Sequence, residues 1–597
     1  MTVWRRISFR EIAWSAVFFL GLAVLHLAPG SFHIFHRYLG PNIMEGPEYG
    51  WRMWWYPYAL FVKHQNPFFC DIVFWPQGMD LSLQSTCFLK EFLGGLAGGY
   101  WYPLAVGNII TLFTVAANGV VGYYIGRRLF RLRVLAYLTG IFLCIGGSLN
   151  QNITHLNILS MEGFMLYIFW SQEWMRDPRP GKKHLWRLGL SSALSVACFI
   201  QNIVFLSLWT LLLLMAMAFL KRLTALHIKT LLYAVLVCIV LNLPQLVPNM
   251  ITFAAHPEWA KGYSYENDIR VFRFSLIDFF LPWKQSHPLY SVLSQPFIQK
   301  FDLYPQQEPF MGFLVLGLTL YGLFRYTRKV LWWFVPGVIF FLWSMGYDIR
   351  IIPKGKALFP GPFRLVMILP IVNTLRNPSR LILVTQLCFG ISAGYGVMGL
   401  VAFLRRKILF RIPGPRVLFY LAILFASIHL WELTLFPYPS SDPRHCPYYS
   451  VMRNDPEDVA VLDCPMQTGL QCHMYFTSLH HKRAIHGFGG RMWIPLIGEH
   501  EDPFYIEKML SRIPPNQWPG YARRLSRAMF QARVKYITIH KWLYPNPGNY
   551  QWVIQFLENR TFWENQREYQ KFLRVYEDET HLIYRLVPYK TWPERVK

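Results

Sequence analysis

The stretch that decides the fold runs from residue 42 to residue 58 and reads Asn42-Ile-Met-Glu45-Gly-Pro-Glu48-Tyr-Gly-Trp51-Arg52-Met-Trp54-Trp55-Tyr-Pro-Tyr58. An apolar run at 13–29 precedes it, and another at 104–126 follows it. Its tryptophans recur at helical spacing, with two glutamates and one arginine among them. The stretch is therefore amphipathic, and it follows a segment that is apolar enough to cross a bilayer.

The composition of the whole chain identifies a membrane protein. Of its 597 residues, 53% are hydrophobic and only 15% are charged, whereas soluble proteins carry about 25% charged residues. The mean hydropathy is +0.24. A secreted module held by disulfides is excluded, because nine cysteines in a chain of this length are too few for such a framework. We therefore expect membrane lipids among its partners.

The net charge of +26 has two explanations, a nucleic-acid partner or cytoplasmic loops rich in lysine and arginine. Before Pro439 the basic residues come in short blocks between apolar runs. This pattern is typical of loops that face anionic lipid. We therefore expect no nucleic-acid partner.

Eleven apolar stretches approach the length of about 20 residues that spans a bilayer as a helix. If the N-terminus is cytoplasmic, every dense basic block, such as Arg127 to Arg133, falls on the cytoplasmic side. The predicted spans are 13–29, 104–126, 134–149, 156–172, 188–204, 205–220, 230–249, 309–324, 330–346, 381–404 and 417–436.

This topology places three long loops outside, at 30–103, 250–308 and 347–380, together with the tail from residue 437. Charges of both signs are interspersed in the tail, which indicates a soluble domain at 437–597 after a membrane domain at 1–436. The tail is predicted to contain strands at 459–462, 484–486 and 536–539 and helices at 505–512, 521–533 and 551–558. The predicted fold class is mostly α: a polytopic transmembrane bundle of about eleven spans with a C-terminal α/β or α+β extracytoplasmic domain.

Motifs of soluble enzymes, such as G-x-x-x-x-G-K-[ST], G-x-S-x-G and H-E-x-x-H, do not occur in the sequence. The acids nearest the end of the first span are Glu45 and Glu48. A carboxylate at an apolar interface can act as a base or pair with a divalent cation, and Arg52 can hold a phosphate with two hydrogen bonds. The alternative is an interfacial belt of aromatic side chains with solvated acids.

Four further polar residues lie near or within the predicted spans. Arg376 and Arg380 are four residues apart at the outer end of a predicted helix, so both can face one phosphate or reach lipid headgroups. His155 lies in a polar turn and is either functional or a cap of that turn. Glu162 lies inside the fourth predicted span, so it is either functional or bonded to a polar neighbour on another helix.

Together with the long first loop and its carboxylates, several short motifs resemble the GT-C superfamily of polytopic glycosyltransferases, and more closely the large bacterial branch of that class. The motifs are Asn66-Pro-Phe-Phe, Trp75-Pro-Gln-Gly-Met-Asp80-Leu, Asn152-Ile-Thr-His155-Leu-Asn157, Glu308-Pro-Phe-Met-Gly312, Leu375-Arg376-Asn-Pro378-Ser-Arg380 and Glu432. The resemblance covers most of the chain. It departs from the family at one point, because the family's acidic signature usually contains an aspartate, often after glycine, where this chain has Glu45-Gly-Pro-Glu48.

The resemblance implies transfer of a sugar from a polyprenyl-phosphate donor to a lipid, glycan or protein acceptor on the periplasmic face of a bacterial inner membrane. It makes Glu45 or Glu48 the catalytic base, or a ligand of a divalent cation such as Mg²⁺ or Mn²⁺. It assigns the donor phosphate to Arg52, Arg376 and Arg380. Further candidate site residues are Asp71, Asp80, His155, Glu162 and Glu308.

Two other functions stay open at this point. A transporter or flippase of lipid-linked glycans would need ionisable pairs within the spans and symmetric halves. Acids within the spans are nearly absent, and the sequence has no evident repeat. A catalytically inactive subunit of an assembly is the other alternative, and the departure at the acidic signature keeps it open.

The alternation of basic loops predicts the outcome of a labelling experiment. Single cysteines placed in the 30–103 loop and in the tail should react with a membrane-impermeant reagent from the periplasm, whereas a cysteine at 176–187 should be protected. Protection of the tail would contradict the eleven-span topology.

Overall fold

The computed structural model describes residues 7–40, 45–82, 87–255, 273–301, 308–369, 377–407, 414–465, 470–485, 506–544, 546–563 and 568–588. Helices dominate this part of the chain. Those before residue 437 are α1 (Phe9–His26), α2 (Glu45–Pro57), α3 (Phe88–Gly94), α4 (Pro103–Phe130), α5 (Arg133–Cys144), α6 (Gly147–Gln151), α7 (Leu156–Leu159), α8 (Glu162–Arg176), α9 (Lys182–Cys198), α10 (Asn202–Phe219), α11 (Ala225–Ala255), α12 (Gln295–Phe301), α13 (Phe313–Arg325), α14 (Thr327–Ser344), α15 (Phe363–Val366), α16 (Ile382–Lys407) and α17 (Gly414–Leu433). Those of the tail are α18 (Tyr449–Asn454), α19 (Leu470–His480), α20 (Ile506–Arg512), α21 (Trp518–Gln531), α22 (Pro547–Glu558) and α23 (Arg560–Trp563).

The strands are short outside the tail. They are β1 (Tyr38–Leu39), β2 (Phe69–Cys70), β3 (Met79–Asp80), β4 (Asp348–Arg350), β5 (Ala357–Pro360), β6 (Ser440–Ser441), β7 (Ala460–Cys464), β8 (Arg483–Ala484), β9 (Val534–His540), β10 (Tyr569–Glu577) and β11 (His581–Pro588). A mostly helical membrane part and a sheet in the tail confirm the predicted fold class.

Each of the eleven predicted spans falls mainly on one long helix: α1, α4, α5, α8, α9, α10, α11, α13, α14, α16 and α17. By length and composition, six helical segments of the described chain are candidates to cross a membrane: Phe9–His26, Pro103–Phe130, Asn202–Phe219, Ala225–Ala255, Pro378–Arg406 and Pro415–Leu433. The other five are shorter or less apolar, so the count of eleven crossings stays a prediction.

The first membrane helix begins at an N-cap serine. The hydroxyl of Ser8 accepts a hydrogen bond from the backbone N–H of Glu11 at 3.2 Å, which satisfies one of the free donors at the start of α1. The carboxylate of Glu11 in turn accepts hydrogen bonds from Tyr123 Oη at 2.6 Å and Arg127 Nε at 2.7 Å. Both donors lie on α4, so these bonds fix the start of α1 to the end of α4.

Farther along α1, the ring of Phe19 packs into the gap between α4 and α5. Gly119 of α4 and Gly140 of α5 leave room for it, because a Cβ on either glycine would lie 2.3 Å from the ring. Small residues at such contacts let membrane helices approach closely. The three helices therefore form one tightly packed unit.

The third and fourth spans differ from their predicted bounds of 134–149 and 156–172. Helix α5 ends at Cys144, and α8 begins only at Glu162. The backbone is extended at Ile145, and Gly147 then donates its backbone N–H to the carbonyl oxygen of Phe310 at 3.1 Å. A Cβ on Gly147 would lie 2.1 Å from that oxygen. The short helices α6 and α7 fill the interval.

The tail contains a five-stranded mixed sheet in the order β10-β11-β9-β7-β8. Strand β7 runs parallel to β8 and β9, and the hairpin β10–β11 adds to β9 in antiparallel fashion. The strands predicted at 459–462 and 536–539 correspond to β7 and β9, and the strand predicted at 484–486 overlaps β8 at Ala484. The three predicted helices correspond to α20, α21 and α22. The sequence prediction missed β10, β11 and α19.

The tail packs directly on the first loop (residues 30–103). Strand β1 pairs with β6, with Tyr38 opposite Ser441. The indole N–H of Trp51 on α2 donates to Thr477 Oγ1 on α19 at 2.9 Å. Trp54 and Trp55 are, like Trp51, fully buried. The alternative of an interfacial aromatic belt is therefore wrong, because these rings form a core between α2 and the tail.

Polar side chains are buried between α19 and the sheet. Asp463 of β7, His540 of β9 and His581 of β11 meet His473 and His480 of α19, and none of the five is more than 4% exposed. Nε2 of His540 lies 2.9 Å from Asp463 Oδ1. Burial lowers the pKa of His473, His540 and His581 to about 3 and that of His480 to about 4. These imidazoles are therefore neutral in the folded tail.

This cluster predicts that acid destabilises the tail. Below pH ~6.5 the unfolded histidines take up protons that the folded ones do not, so stability is complete above that pH and falls as the pH decreases toward the folded pKa values. The slope should reach about 1.4 kcal/mol per pH unit for each histidine. The melting temperature of the full chain in detergent, measured between pH 7 and pH 5, tests this.

The matched control is the double variant His473→Gln and His480→Gln. It should melt with a shallower pH dependence than the unchanged chain. A melting temperature that is equally insensitive to pH in both proteins would contradict the interpretation.

Candidate functional site

Helix α2 forms the floor of the candidate site. It begins at Glu45, so Pro47 lies in the first turn, where its missing N–H costs no helical hydrogen bond. Glu45 and Glu48 are three residues apart and lie in the same turn. The side chain of Glu45 lies outside the described part of the structure, and Arg376 lies outside it altogether.

The guanidinium of Arg52 lies between two carboxylates. Its Nη2 contacts Oε1 of Glu48 one helical turn earlier, and its Nη1 lies 3.4 Å from Oε1 of Glu91 on α3. Arg52 is 1% exposed, Glu48 7% and Glu91 0%. Sequence reasoning missed Glu91, because a single acid in the run Phe-Leu-Lys-Glu-Phe-Leu has no motif around it.

The electrostatics of this triad follow from burial and charge. Burial alone would lower the pKa of Arg52, but Glu48 and Glu91 raise it above its usual value. Burial raises the pKa of Glu91, although Arg52 opposes the shift. Glu91 also accepts the backbone N–H of Cys87 at 2.8 Å through Oε1. Two acids thus share one arginine, which is charged under all ordinary conditions.

Lys90, the residue before Glu91, forms an ion pair with the candidate site residue Glu162. Nζ of Lys90 lies 2.5 Å from Oε1 of Glu162, at the start of α8. The same ammonium donates to Thr114 Oγ1 and Ser160 Oγ, each at 2.9 Å. Glu162 is therefore paired, and its partner belongs to a short helix of the first loop. Sequence reasoning did not single out Lys90.

The motif at 152–157 touches α2 through Asn157. The hydroxyl of Tyr49 donates to Asn157 Oδ1 at 2.8 Å. The same oxygen also accepts the backbone N–H of Ile158 at 2.8 Å. His155 is the residue before α7, and its side chain makes no capping bond to that helix. The two alternatives for His155, a functional role or a cap of its turn, stay predictions.

Arg380 lies at the start of the segment that leads into α16. It belongs to the 3-10 turn Pro378–Leu381. Its Nη1 donates to Gln201 Oε1 at 2.6 Å, and its guanidinium lies 5.5 Å from the centre of the Phe199 ring. Arg380 therefore faces the turn between α9 and α10.

Asp71 and Asp80 have partners of their own. Asp71 accepts from Nζ of Lys63 at 2.6 Å in a half-exposed pair. Asp80 accepts the hydroxyl of Thr252 at 2.6 Å and the backbone N–H of Ser82 at 2.7 Å. Because Thr252 lies near the end of α11, Asp80 ties the first loop to that helix.

Glu308 is a buried acid outside the first loop. Burial raises its pKa to about 7, and the charge of Lys284 and two backbone N–H groups oppose the shift. Glu432, from the last motif of the resemblance, accepts the backbone N–H of Leu314 at 3.2 Å and so caps the start of α13. Its carboxylate is thus used to join α17 to α13.

Metal ligands were tested by geometry. Within the described ranges, no group of three or more His, Cys, Asp or Glu side chains is arranged to hold a metal ion. The carboxylates of Glu48 and Glu91 converge on Arg52 rather than on a common point. A divalent cation stays a prediction of the resemblance.

A solved structure shares the fold of this chain without close sequence similarity. No protein-family profile matches it. No curated protein sequence matches it either. The structure of the archaeal oligosaccharyltransferase AglB from Archaeoglobus fulgidus, in complex with an inhibitory peptide and a dolichol-phosphate, matches with a TM-score of 0.51 at 13% identity over 89% of this chain and 70% of AglB. ArnT from Cupriavidus metallidurans in the apo state gives a TM-score of 0.45 at 12% identity over 96% of this chain and 98% of ArnT.

The likeness to AglB confirms the predicted GT-C fold. At 13% identity it establishes the fold alone. The activity of this chain therefore has to be argued from its own residues.

The buried triad predicts a large difference between two ion pairs. Arg52→Ala leaves two buried carboxylates without a counter-charge and should destabilise the chain by about 3–5 kcal/mol. Lys63→Ala removes one partner of the half-exposed pair with Asp71 and should cost about 1 kcal/mol or less. Thermal melts of the two variants in detergent compare these costs. Similar losses of stability in the two variants would contradict the buried position of Arg52 between Glu48 and Glu91.

Proposed function

We propose that this chain is a membrane glycosyltransferase that moves a sugar from a polyprenyl-phosphate donor to a lipid, glycan or protein acceptor on the periplasmic face of a bacterial inner membrane. The observation that carries the proposal is the buried Glu48–Arg52–Glu91 triad in the loop after the first membrane helix. The GT-C fold supports it, since AglB is an oligosaccharyltransferase that was solved with a dolichol-phosphate.

The reaction needs a base near the acceptor. The acceptor hydroxyl attacks the anomeric carbon, the new glycosidic C–O bond forms, and the bond to the phosphate oxygen breaks as polyprenyl phosphate leaves. The hydroxyl proton must go to a nearby carboxylate. Glu48 fits this role better than Glu91, because Glu48 retains some exposure and Glu91 has none. Glu45 shares the first turn of α2 and is the second candidate.

Arg52 acts as a positioning residue in this scheme. Its guanidinium is occupied by Glu48 and Glu91, so it orients the carboxylate of Glu48. Cationic side chains other than Arg52 must then bind the donor phosphate. Arg380 is the described candidate, and Arg376, four residues earlier in the sequence, stays a prediction.

The base is tested by Glu48→Gln, which keeps the size and hydrogen bonding of the side chain and removes its charge. Transfer in a reconstituted assay should fall by about 10²–10⁴-fold, while expression and donor binding are retained. Asp71→Asn is the matched control, because it neutralises an acid of the same loop outside the triad, and it should stay active. Full activity in Glu45→Gln, Glu48→Gln and the double variant would contradict the assignment.

The donor site is tested separately by binding. Arg380→Ala should weaken binding of a polyprenyl-phosphate, and Arg380→Lys should restore it only in part, because an ammonium lacks the paired donors of a guanidinium. Arg524→Ala, at an exposed arginine of α21, is the control. Unchanged binding in both Arg380 variants would make Arg380 a lipid anchor instead.

A further inference from the structure

Two buried cysteines lie side by side between the first loop and α9, and neither the fold nor the proposed reaction explains them. Cys87 is the residue before α3, and Cys198 is the last residue of α9. They are 0% and 1% exposed, and both are free thiols in the structure. They belong to one small hydrophobic cluster with Tyr49 and Met53 of α2. The cluster thus brings together two cysteines that are far apart in the sequence.

The two thiols contact each other. The side chain of Cys87 is close enough to that of Cys198 to share a hydrogen bond with it. Sγ of Cys87 also lies 3.5 Å from Oγ of Ser160, the residue after α7. A disulfide requires two cysteines whose side chains already face each other, because otherwise the backbone has to move. The contact between the two thiols meets this requirement.

Both cysteines lie on the side of the membrane domain that the topology predicts to be periplasmic. Cys87 is part of the first loop, and Cys198 lies at the end of α9 that precedes the turn to α10. The basic residues Lys182 and Lys183 lie at the other end of α9. Disulfides form and persist in oxidising compartments such as the bacterial periplasm. The predicted location therefore allows this pair to be oxidised.

We propose that Cys87 and Cys198 form a disulfide when the chain folds in its membrane. This inference rests on the periplasmic location of the first loop in the proposed function. Two S–H bonds break and one S–S bond forms. The two electrons and two protons pass to the disulfide of a thiol oxidoreductase, which becomes a dithiol. Because both thiols are shielded from water in the folded chain, the bond forms before the first loop is fully packed.

The disulfide joins the candidate site to α9. The backbone N–H of Cys87 donates to Oε1 of Glu91 at 2.8 Å, and the same oxygen lies 3.4 Å from Nη1 of Arg52. A covalent bond at the residue before α3 holds this helix, and with it the carboxylate of Glu91, against α9. The bond is therefore a cross-link that stabilises the Glu48–Arg52–Glu91 triad.

The disulfide is tested first in the unchanged full chain, which avoids any effect of a variant on folding. Membranes of a bacterium that produces the chain are dissolved in SDS with N-ethylmaleimide, which blocks every free thiol. Mass spectrometry of a digest made without reductant should then find the peptides of Cys87 and Cys198 joined to each other. Detection of both cysteines as N-ethylmaleimide adducts would overturn the proposal.

The partner of each cysteine is tested by counting the oxidised thiols. After the same blocking step the chain is reduced and labelled with a polyethylene-glycol maleimide, so that each oxidised thiol adds one mass step on a gel. Cys87→Ser should remove two labels, because it also frees Cys198, and Cys198→Ser should remove the same two. The double variant should lose no more than these two labels.

Cys144→Ser and Cys388→Ser are the matched controls, because these cysteines are equally buried on α5 and α16, and they should leave the number of labels unchanged. An unchanged number in both Cys87→Ser and Cys198→Ser would overturn the proposal. A loss in only one of them would also overturn it, because that cysteine would then have another partner. The readout needs no sugar transfer, so a failure here is distinguishable from a failure of the proposed glycosyltransferase activity.

Discussion

One buried arginine organises the first loop. Arg52 joins α2 to α3 through the carboxylates of Glu48 and Glu91, with almost no access to water. Buried charges are costly to desolvate, so such an arrangement persists only when each charge has a partner. Lys90, the neighbour of Glu91, then ties the same loop to α8 through Glu162. Two adjacent residues of α3, Lys90 and Glu91, therefore connect it to α8 and to α2.

The tail completes this arrangement from the other side. Trp51, the residue directly before Arg52 on α2, donates a hydrogen bond to Thr477 of α19. The rings of Trp51, Trp54 and Trp55 are covered by the tail. A helix with an apolar face of this size needs a partner, and here the partner is the tail rather than lipid. Helix α19 also covers the neutral histidines of the sheet. The helix that carries Glu48 is thus packed between the membrane bundle and the tail.

Sequence patterns predicted the elements better than the contacts between them. Apolar runs located all eleven helices, because the length and composition of a span are local properties. The pairs that build the site are not local: Lys90 and Glu162 are 72 residues apart, and Trp51 and Thr477 are 426 apart. The tryptophans of α2 show the consequence. Their spacing correctly indicated a helix with one apolar face, but it did not reveal what covers that face.

The difference in environment between the two acids of the triad separates their functions. Glu91 is fully buried, and its contact with Arg52 holds α3 on α2. Glu48 lies one turn before Arg52 at the start of the helix, and its carboxylate contacts the guanidinium of Arg52. Glu48 is 7% exposed and Glu91 is not exposed at all, so Glu48 is the better candidate for the proposed base. In the proposed reaction the Glu45-Gly-Pro-Glu48 sequence supplies this base without the aspartate of the family signature, and Arg52 one turn later orients it.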